Sequence, residues 1–190
     1  MVRTRWTIAD VELLPEPWED KRYEIIDGEL YVSTQPHYYH QLTCSRLGSS
    51  LLRWSEETGA GSAVGAPGVI FAMDEAVAPD VVWISSQRLP TVLGPDGKLH
   101  AAPDLVVEVL SPGHANEQRD REAKLGVYSR RGVREYWIAD WQLRQVDVYR
   151  RVEMALRLAG TLLESDVLQS PLLPGFALPL GELFAGIPPE

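Results

Sequence analysis

The chain has 190 residues, 45% of them hydrophobic and 24% charged, and a formal net charge of −9. That length suits one domain with its own core over residues 1–190, and the acidity argues against holding nucleic acid through a broadly basic surface while leaving room for a local basic site. No apolar run nears the roughly 18 residues of a membrane span, residues 1–20 mix their charges and lack a signal peptide's apolar stretch, and the single cysteine, Cys44, excludes an internal disulfide and fits a reducing, cytoplasmic setting.

Thr7, three residues before Asp10, predicts a capping box for a short helix over residues 7–14 carrying Ile8, Val11 and Leu14, with Pro15 and Pro17 as its stop. Residues 23–33 set Asp27-Gly28 between two β-rich runs, a strong hairpin signal. Pairing Ile26 with Glu29 across that turn puts Glu24 opposite Tyr31, on the side of Ile26, and so directs Glu24 inward. A long helix follows, from His37 or Tyr38 to Glu57, with Leu42, Leu47, Leu51, Leu52 and Trp54 as its apolar stripe and Gly59 beyond its end. Residues 61–72 read as extended and broken at 65–68, and Asp74-Glu75 as a turn into the strand at 78–85. Residues 86–102, rich in Gly, Pro and polar side chains, read as a flexible surface loop before a strand within 102–112. Next come a helix over 116–131, capped by Asn116 and stopped by Gly132, and strands at 135–140, 145–150 and 154–158, the first two a hairpin around residues 141–143. A Pro-rich turn at 170–175 and a short helix at 180–184 close a mixed α and β order.

The two strand runs, Ala-Pro-Asp-Val-Val-Trp-Ile-Ser and Ala-Pro-Asp-Leu-Val-Val-Glu-Val-Leu-Ser-Pro, look covered on both faces of a sheet. Such strands have little room for charge, yet Asp80 opens one, and Asp104 opens the other while Glu108 interrupts it. An ionised carboxylate removed from water must be paired or bind a metal. The period of two puts Asp104 and Glu108 on one face. If the two runs pair, Asp80 and Glu108 converge as oxygen ligands suited to Mg2+. On the helix, with Ala123 at zero, Val127 falls at about 40°, Lys124 at about 100°, Tyr128 at about 140° and Leu125 at about 200°. Lys124 thus sits in the apolar arc, where its ammonium either snorkels to the rim or meets a carboxylate inside. Beside the acids it could orient a water and neutralise phosphate charge. Residues 117–135 carry six cations against four acids, the least acidic part of the chain, though such a helix face is usually just solvated.

Taken together, Arg-Tyr-Glu-Ile-Ile-Asp-Gly-Glu-Leu at 22–30, the two strand runs, Arg-Glu-Ala-Lys-Leu-Gly-Val-Tyr at 121–128, Gly-Val-Arg-Glu-Tyr-Trp-Ile-Ala-Asp at 132–140 and Ser-Pro-Leu-Leu-Pro-Gly at 170–175 resemble the Uma2 family. That family is placed in the restriction-endonuclease-like PD-(D/E)XK nuclease superfamily. The resemblance implies an α/β fold with a central mixed sheet flanked by helices, and a nuclease that uses Mg2+ or Mn2+ on phosphodiesters, with DNA as the expected substrate. It implies metal ligation by Asp80 and Glu108 and an accessory acid at Glu24, while His40 matches a histidine common in the family and reads as a packed or capping residue with a substrate contact as the alternative. The superfamily lysine usually stands two residues past the second acid, where this chain has Leu110; here Lys124 takes its place from the next helix. A homodimer is common among such proteins.

Other candidates have plainer readings. Asp104 is expected to hydrogen-bond where its strand begins. His37, His100 and His114 lack zinc spacing, Cys44 reads as a small packing residue, and Tyr136 and Trp137 as core. Two rivals to the nuclease stand beside it: a catalytically silent nuclease-fold binding module, and a purely structural ion-pair network.

Overall fold

The computed structural model describes residues 5–14, 21–33 and 36–188, so the stop signals Pro15 and Pro17 lie outside the described residues. Helix α1, Ile8–Glu12, opens on the expected capping box, Thr7 and Asp10 bonding each other's backbone N–H. Strands β1, Arg22–Ile26, and β2, Glu29–Ser33, form the hairpin. Asp27 and Gly28 have φ of 51° and 76°, the left-handed pair that a tight two-residue hairpin requires. The register pairs Glu24 with Tyr31 and Ile26 with Glu29, as expected.

Helix α2, Tyr38–Thr58, is capped by His37, whose side chain accepts the Tyr39 N–H, and ends at Gly59 in the left-handed conformation. Leu47, Leu51 and Trp54 are buried along it, whereas Leu52, placed on the stripe by the sequence, is 41% exposed. Strands β3, Gly61–Gly65, and β4, Val69–Ala72, follow, then β5, Glu75–Val77, where only a turn is expected. Three residues are too few to show a period, so β5 becomes visible only through its pairing with β1 and β4.

Strand β6 is Val81–Ser85 and β7 is Leu105–Val109. Between them the expected flexible loop is instead anchored. It contains helix α3, Leu89–Val92, buries Val92, Leu99 and Ala102, and makes bridges from Leu99 to Val69 and Leu93. Its apolar residues follow neither helical nor strand spacing, which hides their burial from a periodicity reading. Helix α4, His114–Gln118, continues through a π-helical turn, Arg119–Lys124, into α5, Leu125–Arg131, closed by Gly132 at φ 91°. Asn116 lies inside α4 rather than at its cap, and its side chain donates back to the Pro112 carbonyl.

Strands β8, Glu135–Asp140, β9, Gln145–Val152, and β10, Ala155–Leu163, complete a six-stranded sheet of order β10-β9-β8-β7-β6-β3. Residues 170–175 are more than a turn: β11, Val167–Ser170, and β12, Leu173–Pro179, form a hairpin before α6, Leu180–Leu183. Among the described strands, β7 and β8 are the pair that runs parallel. Such a pair needs a crossover, which α4, the π turn and α5 supply. Strands β1, β2, β4 and β5 make a separate sheet.

Alternate residues of β7 feed two cores. Leu105, Val107 and Val109 join Leu47, Trp137 and Phe184, while Val106 joins Val127, Tyr128 and Ile26. The sheet is thus covered by α2, α6 and β12 on one face and by α5 and the small sheet on the other. No helix among the described residues is long and apolar enough to cross a membrane.

Asp104 stands fully buried just before β7. It accepts the Ser85 N–H at 2.9 Å, Arg88 at 2.8 Å and Arg134 at 3.3 Å, tying β6, α3 and β8 together. Burial pushes its carboxyl upward, but the Ser85 N–H and the two guanidinium groups outweigh it and hold it below the usual range. A depressed carboxylate stabilises the fold above its unfolded value, roughly 3.9, and that contribution fades as pH falls through the folded value. Asp104→Asn should therefore lose about 2 kcal/mol near neutrality, with most of the difference from wild type gone in strong acid. Denaturant unfolding measured across an acid pH series checks it, and a constant difference at every pH would contradict the ion-pair account.

Candidate active site

The antiparallel register of β6 and β7 pairs Val82 with Val106 and Val81 with Val107. One step further, Asp80 stands opposite Glu108. The Val109 N–H donates to Asp80 Oδ2 at 2.9 Å, closing the pair where the two strands part. Asp80 also receives Arg22 on Oδ1 at 3.0 Å and lies 3.4 Å from His40 Nε2. Arg22 and Glu24 are two residues apart on β1 and share a face, so the hairpin delivers both to this point.

Lys124 does not snorkel. Its side chain is 1% exposed, and its Nζ lies 2.9 Å from Glu24 Oε1, 3.0 Å from Glu108 Oε1 and 3.5 Å from Asp120 Oδ1. The π turn presents Asp120 and Lys124 to the same interior point, a distortion frequent at functional sites. Tyr128, four residues on, donates to Glu108 Oε1 at 2.7 Å. The Glu24 Oε1 that meets Lys124 also accepts the Ala78 N–H. Asp80, Glu108, Asp120 and Lys124 line a cavity of about 300 Å³ together with His40, Arg22 and Arg119.

The electrostatics follow from burial and crowding. Burial works against the Lys124 charge, yet Glu108, Glu24 and Asp120 overcome it and hold the ammonium charged, above the ordinary lysine range. Burial pushes Asp80 up, but its contact with His40, the Lys124 charge and the Val109 N–H bring it well below the usual carboxylate range. Glu108 goes the other way. Burial, with Asp80, Asp120 and Glu24 adding repulsion to what Lys124 offsets, raises it to about 8. One acid is thus held firmly ionised while its neighbour is pushed the other way by burial and like charge.

Asp80, Glu108, Lys124 and Glu24, the four residues singled out in the sequence, converge. His40 touches Asp80 from α2 and is 4% exposed. Asp104 does not join them, having its own arginines at the far end of β7. His37 caps α2 and stacks on Trp141, and His100 pairs with Asp96 at the surface; the His114 side chain lies outside the described residues. Tyr136 and Trp137 are fully buried core. Sequence reasoning missed Asp120, Tyr128, Arg22 and Arg119 as site residues. Asp120 and Tyr128 lie four residues either side of Lys124, and that helical spacing was the available signal.

His40, Cys44 and Asp80 also bring possible ligand atoms within 4.8 Å of one another. Two facts weigh against a soft-metal site there. His40 turns Nδ1 to Cys44 at 3.5 Å and Nε2 to Asp80, bridging them rather than converging with them. Burial, with Asp80 and Glu108 adding to it, raises the Cys44 thiol far above its ordinary range and keeps it neutral. The cavity's donors are therefore mainly carboxylate oxygens, the chemistry of a hard divalent cation.

A mixed sheet flanked by helices, with acids where β6 and β7 part, defines a restriction-endonuclease-like fold. Over residues 9–181 the chain matches the Uma2 family, described as "Putative restriction endonuclease", and it belongs to that family. It also resembles a protein from Anabaena variabilis, known from a crystal structure and described as "a putative nuclease belonging to DUF820". The TM-score is 0.73 at 20% identity, covering 94% of this chain and 97% of that one, a likeness of fold. No curated protein sequence matches the chain.

Removing Lys124 leaves three carboxylates facing one another away from water. Lys124→Met should lose about 3–5 kcal/mol, and adding Glu108→Gln to it should recover part of that loss. Unfolding free energies of the single and double variants test this. Strict additivity of the two substitutions would mean that the groups do not act as one network.

Proposed function

We propose that the protein is a divalent-metal-dependent endonuclease that hydrolyses phosphodiester bonds, with DNA as substrate. The observation that carries this reading is the unused half of three of the four acids, Asp80 being engaged on both oxygens. Glu24, Glu108 and Asp120 each turn one oxygen to Lys124, and among the described residues the second oxygen of each makes no hydrogen bond. None of these second oxygens is both sealed from water and without a partner, as expected where carboxylates open toward space that a ligand can reach. Carboxylate oxygens of Glu108 and Asp120 beside the cavity, where burial and like charge raise Glu108, suit an added Mg2+ or Mn2+. Membership of a family described as a restriction endonuclease supports the same reading.

In this reading Asp80 and Glu108 hold the ion, with Asp120 beside them. A bound divalent cation supplies Lewis acidity toward the phosphate and acidifies water. Lys124 and Tyr128 fix Glu108 by Oε1 and leave Oε2 to the cavity. Arg22, His40 and the Val109 N–H fix Asp80. Glu24, anchored by the Ala78 N–H, keeps its second oxygen to orient the attacking water. Lys124 holds the three carboxylates at one point and lowers the negative charge that the phosphate meets. Hydrolysis joins the water oxygen to phosphorus and breaks one P–O ester bond. One site of this kind cuts one strand, so cutting a duplex through both strands calls for a homodimer; a single neutral Cys44 suits the cytoplasm.

Wild-type protein should cleave single- or double-stranded DNA with Mg2+ or Mn2+, and Asp80→Asn and Glu108→Gln should each lower the rate about 100-fold or more. Mn2+ should raise the melting temperature of the wild type and leave that of Glu108→Gln nearly unchanged. A folded Glu108→Gln protein with wild-type cleavage would sink the proposed site. DNA binding without cleavage by any metal-loaded wild type would leave a nuclease-fold binding module.

A further inference from the structure

The geometry points to a path for a single nucleic-acid strand across the cavity, with Arg22 and Arg119 holding the phosphates on either side of the one that is cut. This rests on the nuclease reading above and asks which cations meet the substrate. Lys124 is poorly placed to do so. An ammonium has three N–H donors, three carboxylates surround this one, and its side chain is 1% exposed. A polyanion approaching Glu24, Asp80, Glu108 and Asp120, on a protein of net charge −9, meets repulsion unless cations stand at the cavity wall.

Two arginines stand there. Arg22 uses Nη1 on the Ala78 carbonyl and on Asp80, both at 3.0 Å, and among the described residues its Nε and Nη2 make no hydrogen bond. Arg119 uses Nε on Asp120 at 3.3 Å, and neither of its Nη groups is engaged among the described residues. Each is thus oriented by a site carboxylate and keeps donors in hand. The planar guanidinium fork matches phosphate oxygens in pairs, where an ammonium acts as a point charge.

Their placement supplies the path. Both line the cavity of about 300 Å³. Arg22 also lines a second hollow of about 310 Å³, running along α2 past Ser45 and Ser49 to Gly65 at the end of β3. Arg119 also lines a third hollow, of about 570 Å³, over Tyr31 and Gln118. The three hollows adjoin through the two arginines, one on each side of the acids. Tyr31 offers an aromatic ring in the third hollow, of the kind on which bases stack in sequence-tolerant strand binding.

The test measures binding of a short fluorescein-labelled oligothymidylate by anisotropy across a salt series, in Ca2+ so that binding is read apart from cleavage. Hydrolysis of bis(p-nitrophenyl) phosphate with Mn2+ is measured in parallel. Arg22→Gln and Arg119→Gln should each reduce the slope of log affinity against log salt by about 0.7 and weaken binding about tenfold. Arg157→Gln, on β10 and away from the hollows, should change neither. Arg22→Lys and Arg119→Lys, which keep the charge, should keep the slope and lose affinity about threefold, and they stand in where a Gln variant fails to fold. Wild-type slopes in folded Gln variants, or in their place wild-type affinity in the Lys variants, would overturn the path while leaving the nuclease reading to the hydrolysis result. Arginine-dependent binding without hydrolysis by the wild type would keep the path and remove the nuclease reading. No binding by the wild type overturns the path whatever the hydrolysis shows.

Discussion

The structure turns on one ammonium group shared by three carboxylates. Glu24 comes from the small sheet, Glu108 from the large one, and Asp120 and Lys124 from the crossover between β7 and β8. Moving any of these elements away would leave a buried charge with fewer partners. The interaction that concentrates the chemistry is therefore also the joint between the layers. Glu75 repeats the arrangement at the other end of the crossover, taking Arg130 at 2.7 Å and also Arg131, both from the last turn of α5. The crossover is pinned at both ends to the same small sheet.

Such a joint is an inefficient way to stabilise a fold. Apolar side chains of similar volume would hold the layers together at least as well, because burying charge costs desolvation that pairing only partly returns. Four acids gathered round Lys124, with Arg22 and Arg119 at the edge, go further and still leave Glu108 raised. Placing the strain at a cavity of about 300 Å³ rather than in the closed core is what a site for an incoming cation and an anionic substrate requires. Asp104 is the contrast. It is equally buried, but a backbone N–H and two arginines satisfy it.

Most of the framework was legible in the chain because it is local. The capping box, the Asp-Gly turn, the His37 and Gly59 boundaries of α2 and the Gly132 stop each depend on neighbours a few residues away. The place of Lys124 in the apolar arc was readable from spacing, but whether its ammonium snorkelled or met a carboxylate was not. What stayed hidden was long-range or aperiodic: β5, three residues defined by its partners; the anchored 86–102 segment; and the hairpin behind the Pro-rich stretch at 170–175, where Pro174 and Gly175 signal a turn but lie in β12. Within the site, Asp120 escaped notice because a mixed-charge helix reads as solvated. The π turn that directs it inward has no signature in composition.

The chain has Leu110 two residues past Glu108 and brings Lys124 to the acids from the crossover, which has a physical consequence. Position 110 shares the face of Glu108, yet Leu110 is buried there in the core beneath α5, and its N–H is committed to the Ala139 carbonyl of β8. A lysine at that point would be positioned by the strand itself. Lys124 is instead positioned by how the crossover docks, and the docking has its own contacts: Tyr136 donates to the Asp120 carbonyl at 2.9 Å from within β8, and Tyr128 packs edge-on against Tyr136 while holding Glu108. The acids of β6 and β7 are fixed by strand pairing, and the cation among them is fixed by helix packing. The site is complete only when the layers are together, which makes its electrostatics a property of the tertiary fold and explains why no single stretch of the sequence contains it.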